Sequence, residues 1–104
     1  MNHPRKALDE IIHSPVRFSI VAALAAVDEA DFRSVGDTVE ITDSALSKQI
    51  STLERAGYVK VRKTFVGKRP RSYLSLTAAG RRAFDRHLQA LRAIAEGATV
   101  PPAE

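Results

Sequence analysis

The chain contains no cysteine, which excludes a disulfide framework and a thiolate metal site. No apolar run approaches the length that crosses a bilayer, and the N-terminal MNHPRKALDE lacks an apolar secretory core. A cytoplasmic location with no membrane partner is therefore expected. There is no glycine-rich phosphate loop, no G-x-S-x-G elbow and no paired-carboxylate constellation in an apolar setting, so nothing points to an enzyme or implies a cofactor. Acid is absent from one stretch in particular. Between Arg55 and Arg71 stand Arg55, Lys60, Arg62, Lys63, Lys68, Arg69 and Arg71 with no Asp or Glu, while nine basic residues face twelve acidic ones elsewhere. A cation cluster on an acid-leaning body fits a polyanion bound at one face. It equally fits a solvated charge run that keeps an edge hairpin from aggregating. Charge alone leaves both readings open.

A chain of 104 residues suits one domain with a single modest core. That domain is expected over residues 1–96, with Gly97 to Glu104 (GATVPPAE) as a disordered tail. Residues 5–13 (RKALDEIIH) set Leu8, Ile11 and Ile12 against Lys6, Asp9 and Glu10, the pattern of a short amphipathic helix. Ser14-Pro15 restarts the chain, because serine is a favoured N-cap and proline loses nothing at the first helical position. The second helix is predicted to reach about Val27, with Val16, Phe18, Ile20, Val21, Leu24 and Ala25 inward. Being apolar on most sides, it should be central. Arg17 stands at the unfavourable end of that helix dipole, which suggests an outward carboxylate or phosphate partner. After a polar break, Asp31 can cap a third short helix, Phe32 to about Thr38, with Phe32 and Val35 inward and Gly36 as a weak point. Val39-Glu40-Ile41 makes a turn and Thr42 opens a fourth helix, giving a helix-turn-helix pattern.

The fourth helix separates into faces. Leu46, Ile50 and Leu53 recur at buried spacing, and Ala56-Gly57 supplies the stop. Asp43, Ser44, Ser47, Lys48 and Ser51 look away from that stripe, with Arg55 at the end. Serine is a mediocre helix former that solubility does not require. Short hydroxyl side chains do allow close approach to a groove floor, and lysine reaches guanine acceptors or phosphate. A strand follows from Tyr58 to Val66, where Val59 and Val61 alternate with Lys60 and Arg62. Gly67 turns it, Pro70 stiffens the return, and Leu74 and Leu76 bring the second strand back to the core. Lys68, Arg69 and Arg71 then sit at the tip of an exposed ribbon, suited to the negative potential of a narrow minor groove. Thr77 can cap a last helix to about Glu96, along which Phe84, Leu88, Leu91 and Ile94/Ala95 form a stripe too long for so small a domain to bury. A second copy of the same helix, or of the first helix, is the expected cover in a two-fold dimer.

SPVRFSIVAAL, SALSKQISTLERAGYVKV and GKRPRSYLSLTAAG, in this order and at these distances, resemble the winged helix-turn-helix transcriptional regulators of the MarR/ArsR kind, closest to their short stand-alone variants. The resemblance runs from about residue 5 to 95. It implies an α+β, mainly α fold with a two-stranded β-hairpin wing and a long C-terminal dimerisation helix. The helix from Asp43 would be the recognition helix and Val66 to Arg71 the wing tip. Leu8, Ile11, Ile12, Phe84, Leu88, Leu91, Ile94 and Ala95 would dimerise. Two departures stand out. The additional helical sequence that forms a ligand pocket in longer MarR-like proteins is missing. Asp85 and His87 resemble the first half of an ArsR-like metal set, but no second histidine follows, so His87 reads as a residue of an exposed helix and no metal site is expected.

The resulting expectation is a homodimeric, sequence-specific regulator of double-stranded DNA, a repressor acting at the nucleoid on a pseudo-palindromic operator. Ser44, Ser47, Lys48 and Ser51 would enter the major groove, Lys68, Arg69 and Arg71 would hold the wing on the flanking DNA, and Lys60, Arg62 and Lys63 would add phosphate attraction. An unidentified small-molecule effector fits a crevice between the first and last helices. The alternative is a winged-helix interaction module that binds an acidic protein partner without DNA.

Overall fold

Local caps set most element boundaries in the computed structural model of the chain, which describes residues 3–97 and 100–103. Ser14 accepts from the Arg17 amide and opens α1 (Pro15–Ala25), with Pro15 in the first turn. Asp31 accepts from the amides of Arg33 and Ser34 to open α2 (Phe32–Val39). Thr42 caps α3 (Asp43–Arg55) through the Ala45 amide, and Thr77 caps α4 (Ala78–Glu96) through that of Gly80. Each is a short hydroxyl or carboxylate side chain satisfying an amide that the helix leaves unpaired. α1 stops two residues short of its expected end, and α2 runs one residue beyond Thr38.

Between α2 and α3 the chain turns through Glu40, which adopts left-handed backbone (φ 59°) and donates its N–H to the Gly36 carbonyl. Gly36 is not simply a weak point. A Cβ there would stand 3.4 Å from the Leu46 side chain and 3.5 Å from the Ile41 carbonyl oxygen, so the position is buried at the contact of the two helices with room for little more than a methyl group. The core gathers Ile20, Val21 and Leu24 from α1, Val35 from α2, and Leu46, Ile50 and Leu53 from α3, closed by Val59, Leu74 and Leu76.

The last three core residues belong to the hairpin, β2 (Val59–Val66) and β3 (Arg69–Leu76), paired from Val59↔Leu76 to Val66↔Arg69. A third strand, β1 (Ala30–Asp31), joins the free edge of β3 through Ala30↔Leu74 and Asp31↔Tyr73. The expected polar break at 28–31 is therefore partly sheet, and the wing grows from a three-stranded base in the order β1-β3-β2.

Residues 5–13 do not form the expected helix. A single 3-10 turn covers Pro4–Ala7 and the chain is extended at Leu8. Asp9 explains the break, because its Oδ1 accepts from the amides of Ile11 and Ile12 and offers the backbone a local alternative to helix. Its own amide donates to His87 Nδ1 (3.1 Å), and its Oδ2 accepts from the Tyr58 hydroxyl (2.5 Å). Nor does Arg17 point outward to a carboxylate or phosphate. Its guanidinium donates to the Ile11 carbonyl (2.5 Å) and to Gln49 Oε1 (2.9 Å), fastening the N-terminal segment to α3.

α4 buries a different stripe from the one its large residues mark. Gly80, Ala83, His87 and Ala90 face the body, and the three small residues among them let the helix lie close around the His87 ring. His87 is 1% exposed, which corrects its reading as a residue of an exposed helix. No helix among the described residues is long and apolar enough to cross a membrane. Of the expected tail, residues 98, 99 and 104 lie outside the described residues, as do residues 1 and 2 of the expected domain.

Candidate nucleic-acid interface

α3 turns its apolar stripe inward and so fixes which residues look out. Asp43, Ser44, Ser47, Lys48, Ser51 and Arg55 are all exposed. Around the helix axis Ser47 and Ser51 take the middle of that face. Lys48 and Arg55 form one edge, and Asp43 and Glu54 form the other, since residues three and four apart share a side. The acidic edge looks toward the wing: Ser47, Ser51 and Glu54 line a cleft with Lys63 and Ser72, and Asp43 lines a second cleft with Arg33, Arg69 and Arg71.

Directly paired residues of an antiparallel ladder point to one side of the sheet. Val61↔Leu74, Lys63↔Ser72 and Phe65↔Pro70 therefore share the face toward α3, while Lys60↔Ser75, Arg62↔Tyr73 and Thr64↔Arg71 share the reverse face. All six hairpin cations are exposed, but they do not form one patch. Lys63 stands beside the serines of α3. Lys68 and Arg69 stand at the tip around Gly67, whose φ of 65° suits glycine. Lys60 and Arg62 lie on the back.

Arg62 is also engaged. Its Nε and terminal nitrogen donate to the two Glu29 oxygens (3.0 and 2.8 Å), the one salt bridge among the described residues, and its guanidinium stacks 4.5 Å from the Tyr73 ring centre. The Arg62 hydrogen bond holds the Glu29 carboxyl below the ordinary carboxylate range. The sequence read Arg62 as one more phosphate contact; in the structure its partner comes from the loop before β1.

Arg33 lies outside the cation cluster that the sequence marks. It is exposed in the first turn of α2 and shares a cleft with Arg69 and Arg71. The only signal was its place two residues after the Asp31 cap, which sets it outside the core stripe. Among the residues expected to dimerise, Ile12 is already fully buried within the one chain, and the Phe84 ring packs beside that of Phe18, centroids 5.8 Å apart. Leu8, Ile11 and Leu91 are half-buried, and Leu88, Ile94 and Ala95 are exposed along the outer side of α4.

The family model for the winged helix DNA-binding domain matches residues 16–95. The chain belongs to that family. Among solved structures, this winged helix is similar to a transcriptional regulator homologue from Pyrococcus horikoshii OT3, with a TM-score of 0.84 at 30% identity over 93% of this chain and 97% of that one. It is also similar to a MarR family transcriptional regulator from Silicibacter pomeroyi (TM-score 0.66, 28% identity, 93% of this chain and 67% of that one). A third neighbour is the PcaV transcriptional regulator of Streptomyces coelicolor, solved with its natural ligand (TM-score 0.72, 27% identity, 88% of this chain and 64% of that one). The winged helix described here thus has the fold of MarR-type transcriptional regulators, at a length close to that of the Pyrococcus protein.

Proposed function

We propose that the protein is a sequence-specific regulator of double-stranded DNA, a repressor that binds a pseudo-palindromic operator as a homodimer. The observation that carries the reading is the pairing of a serine-centred, exposed α3 face with a wing whose cations Lys63, Lys68 and Arg69 have no ion-pair partner among the described residues. Ser44, Ser47, Lys48 and Ser51 read base edges in the major groove, and Arg55 meets phosphate. Lys68 and Arg69 hold the flanking DNA, with Arg33 and Arg71 beside them. Phosphate contacts fix register and base contacts carry sequence, so the two sets have separable signatures.

Dimerisation is supported by Leu88 and Ile94, apolar and 37% and 36% exposed on α4, with half-buried Leu91 between them. The reading takes residues 1–96 as one DNA-binding unit whose two copies place half-sites about one helical turn apart, ~34–36 Å. A small-molecule effector belongs to the proposal as well. A largely apolar crevice lies between Ile12, Pro15 and Phe18 on one side and His87 and Leu91 on the other, in a fold whose PcaV neighbour was solved with its ligand.

Selection of bound sequences from a random duplex pool tests the reading. Enrichment of a two-fold symmetric site with that spacing is the expected result. No enrichment, together with no gel retardation of genomic fragments at low salt, would replace it with an interaction module for an acidic protein partner.

A further inference from the structure

The wing carries a side chain that neither its fold nor its charge requires. Phe65 is 70% exposed, the one aromatic among the exposed large apolar side chains of the described residues, and Val66 beside it is 50% exposed. Neither adds to the core. A hairpin tip needs only turn residues, here supplied by Gly67, so a bare phenyl ring there costs solubility without adding stability. Its surroundings are cationic: Lys63 two residues before it, Lys68 and Arg69 just after the turn.

The register fixes where the ring looks. Phe65↔Pro70 continues the series Val61↔Leu74 and Lys63↔Ser72 on the face toward α3. The proximal members of that series line the cleft with Ser47 and Ser51. Two residues along a strand advance about 6.5 Å, and over so short a step the sheet twist does not carry the face round. The Phe65–Pro70 pair is therefore the distal, apolar end of the surface whose proximal end is the serine face of α3.

We propose that Phe65, backed by Pro70, enters the minor groove beside the half-site read by α3 and partly unstacks one base step. This rests on the DNA-binding reading given above and deepens it. The chemistry fits an apolar wedge. Minor-groove binders insert side chains such as phenylalanine between base steps while neighbouring cations hold the phosphates on either side. The easily unstacked pyrimidine–purine steps, TA and CA/TG, are the natural targets. Phe65 thereby contributes sequence preference without a hydrogen bond, at a position outside the reach of Ser47 and Lys48. An acidic protein surface is the competing occupant, and charge complementarity alone does not separate the two. The placement of the ring on the α3 side favours DNA, because a duplex held by α3 passes along that side.

The test uses a duplex enriched by the wild-type protein from a random pool, with 2-aminopurine placed in turn at each step flanking the half-site. Wild-type protein should brighten the probe at one step. Phe65→Ala should abolish that signal and weaken binding about 5- to 150-fold, the range of losing one base–aromatic stack, while leaving the salt slope and the melting temperature as in wild type. Phe65→Leu should keep the brightening, since leucine also serves as a wedge. The inference is overturned if no step brightens, or if Phe65→Ala binds and brightens as wild type does. A pool that yields no enriched duplex overturns the DNA-binding reading and the wedge with it. An enriched duplex that is indifferent to Phe65 overturns the wedge alone.

Discussion

The two ends of the wing are built on opposite principles. At its base a run of hydrogen bonds ties the hairpin to α4 and to the N-terminal segment. Thr77 donates from Oγ1 to the Gly57 carbonyl (2.6 Å), accepts from the Gly80 amide (2.9 Å), and donates its own amide to the Tyr58 carbonyl (3.0 Å). Tyr58 in turn donates its hydroxyl to Asp9, which raises the Tyr58 pKa, and the Asp9 amide reaches His87. At the tip, by contrast, Phe65, Val66, Lys68, Arg69 and Pro70 are exposed, and neither tip cation forms an ion pair among the described residues. The base fixes the aim of the hairpin against α3 and α4, and the tip is left free for a partner. Changes at the base should therefore act on stability, and changes at the tip on binding.

The strongest test of that division is Gly80→Ala. A Cβ at Gly80 would lie 2.2 Å from the Tyr58 carbonyl oxygen, a backbone atom that already accepts from Thr77. Alanine's better helix propensity returns only ~1 kcal/mol, against overpacking of ~3 kcal/mol or more. A net loss of about 2 kcal/mol or more is expected, visible as an earlier urea midpoint; unchanged stability would mean that the base is not tightly built. Thr77→Ala comes next. It removes a cap and leaves the Gly57 carbonyl without its donor, and it should cost about 1–2 kcal/mol by the same measurement.

How far this division was legible in the sequence depends on how far apart the partners stand. Ser14, Asp31, Thr42 and Thr77 announce helix starts because a cap and its amide are three residues apart or fewer. The buried stripe of α3 and the hairpin register were legible for the same reason, being local periods of a helix and of a strand. Residues 5–13 misled because Leu8, Ile11 and Ile12 also satisfy an irregular segment, one pinned by His87 and Tyr58, far along the chain from Asp9. β1 has only two residues and exists by virtue of its partner strand. Arg62 read as free because Glu29, its carboxylate, stands 33 residues away. On α4 the spacing of the large residues marks one stripe, while the helix also buries Gly80, Ala83, His87 and Ala90, whose contacts, such as the close approach of Gly80 to Tyr58, lie far along the chain.

On the binding side, the tip and back cations should differ. Lys68→Ala and Arg69→Ala each remove one phosphate contact and should lower the slope of log affinity against log salt by about 0.9, weakening all duplexes alike. Arg62→Ala should leave the slope as in wild type, because Glu29 already faces that charge on the back of the hairpin. Equal slopes for Arg62→Ala and Arg69→Ala, measured by gel shift across a salt series, would erase the distinction between engaged and free cations.

The smallest effect expected concerns pH, and it belongs to the base. His87 Nδ1 accepts the Asp9 amide, so the folded ring is neutral and carries its proton on Nε2. Burial chiefly, and nearby His13 in addition, push the His87 pKa below the ordinary 6.5, while Asp9 opposes them. Above about pH 6.5 folded and unfolded chains both hold a neutral His87, and its contribution to stability is complete. As the pH falls through that value the unfolded chain takes up a proton that the folded chain refuses, so stability declines until the folded pKa is passed. Glu29 and Asp31, both with lowered pKa, act only below their ordinary values of 4.5 and 3.8 and leave this window clear. In His87→Asn the amide oxygen can still accept from Asp9 but takes up no proton. Urea midpoints between about pH 7 and pH 5.5 should slope in the wild type and run flatter in the variant; parallel slopes would mean that the proton is taken up elsewhere. Because the His87–Asp9–Tyr58 chain ends at the foot of β2, the tip should not feel the change: at pH 6 the Phe65→Ala and Arg69→Ala penalties on DNA affinity should match those at pH 7.5.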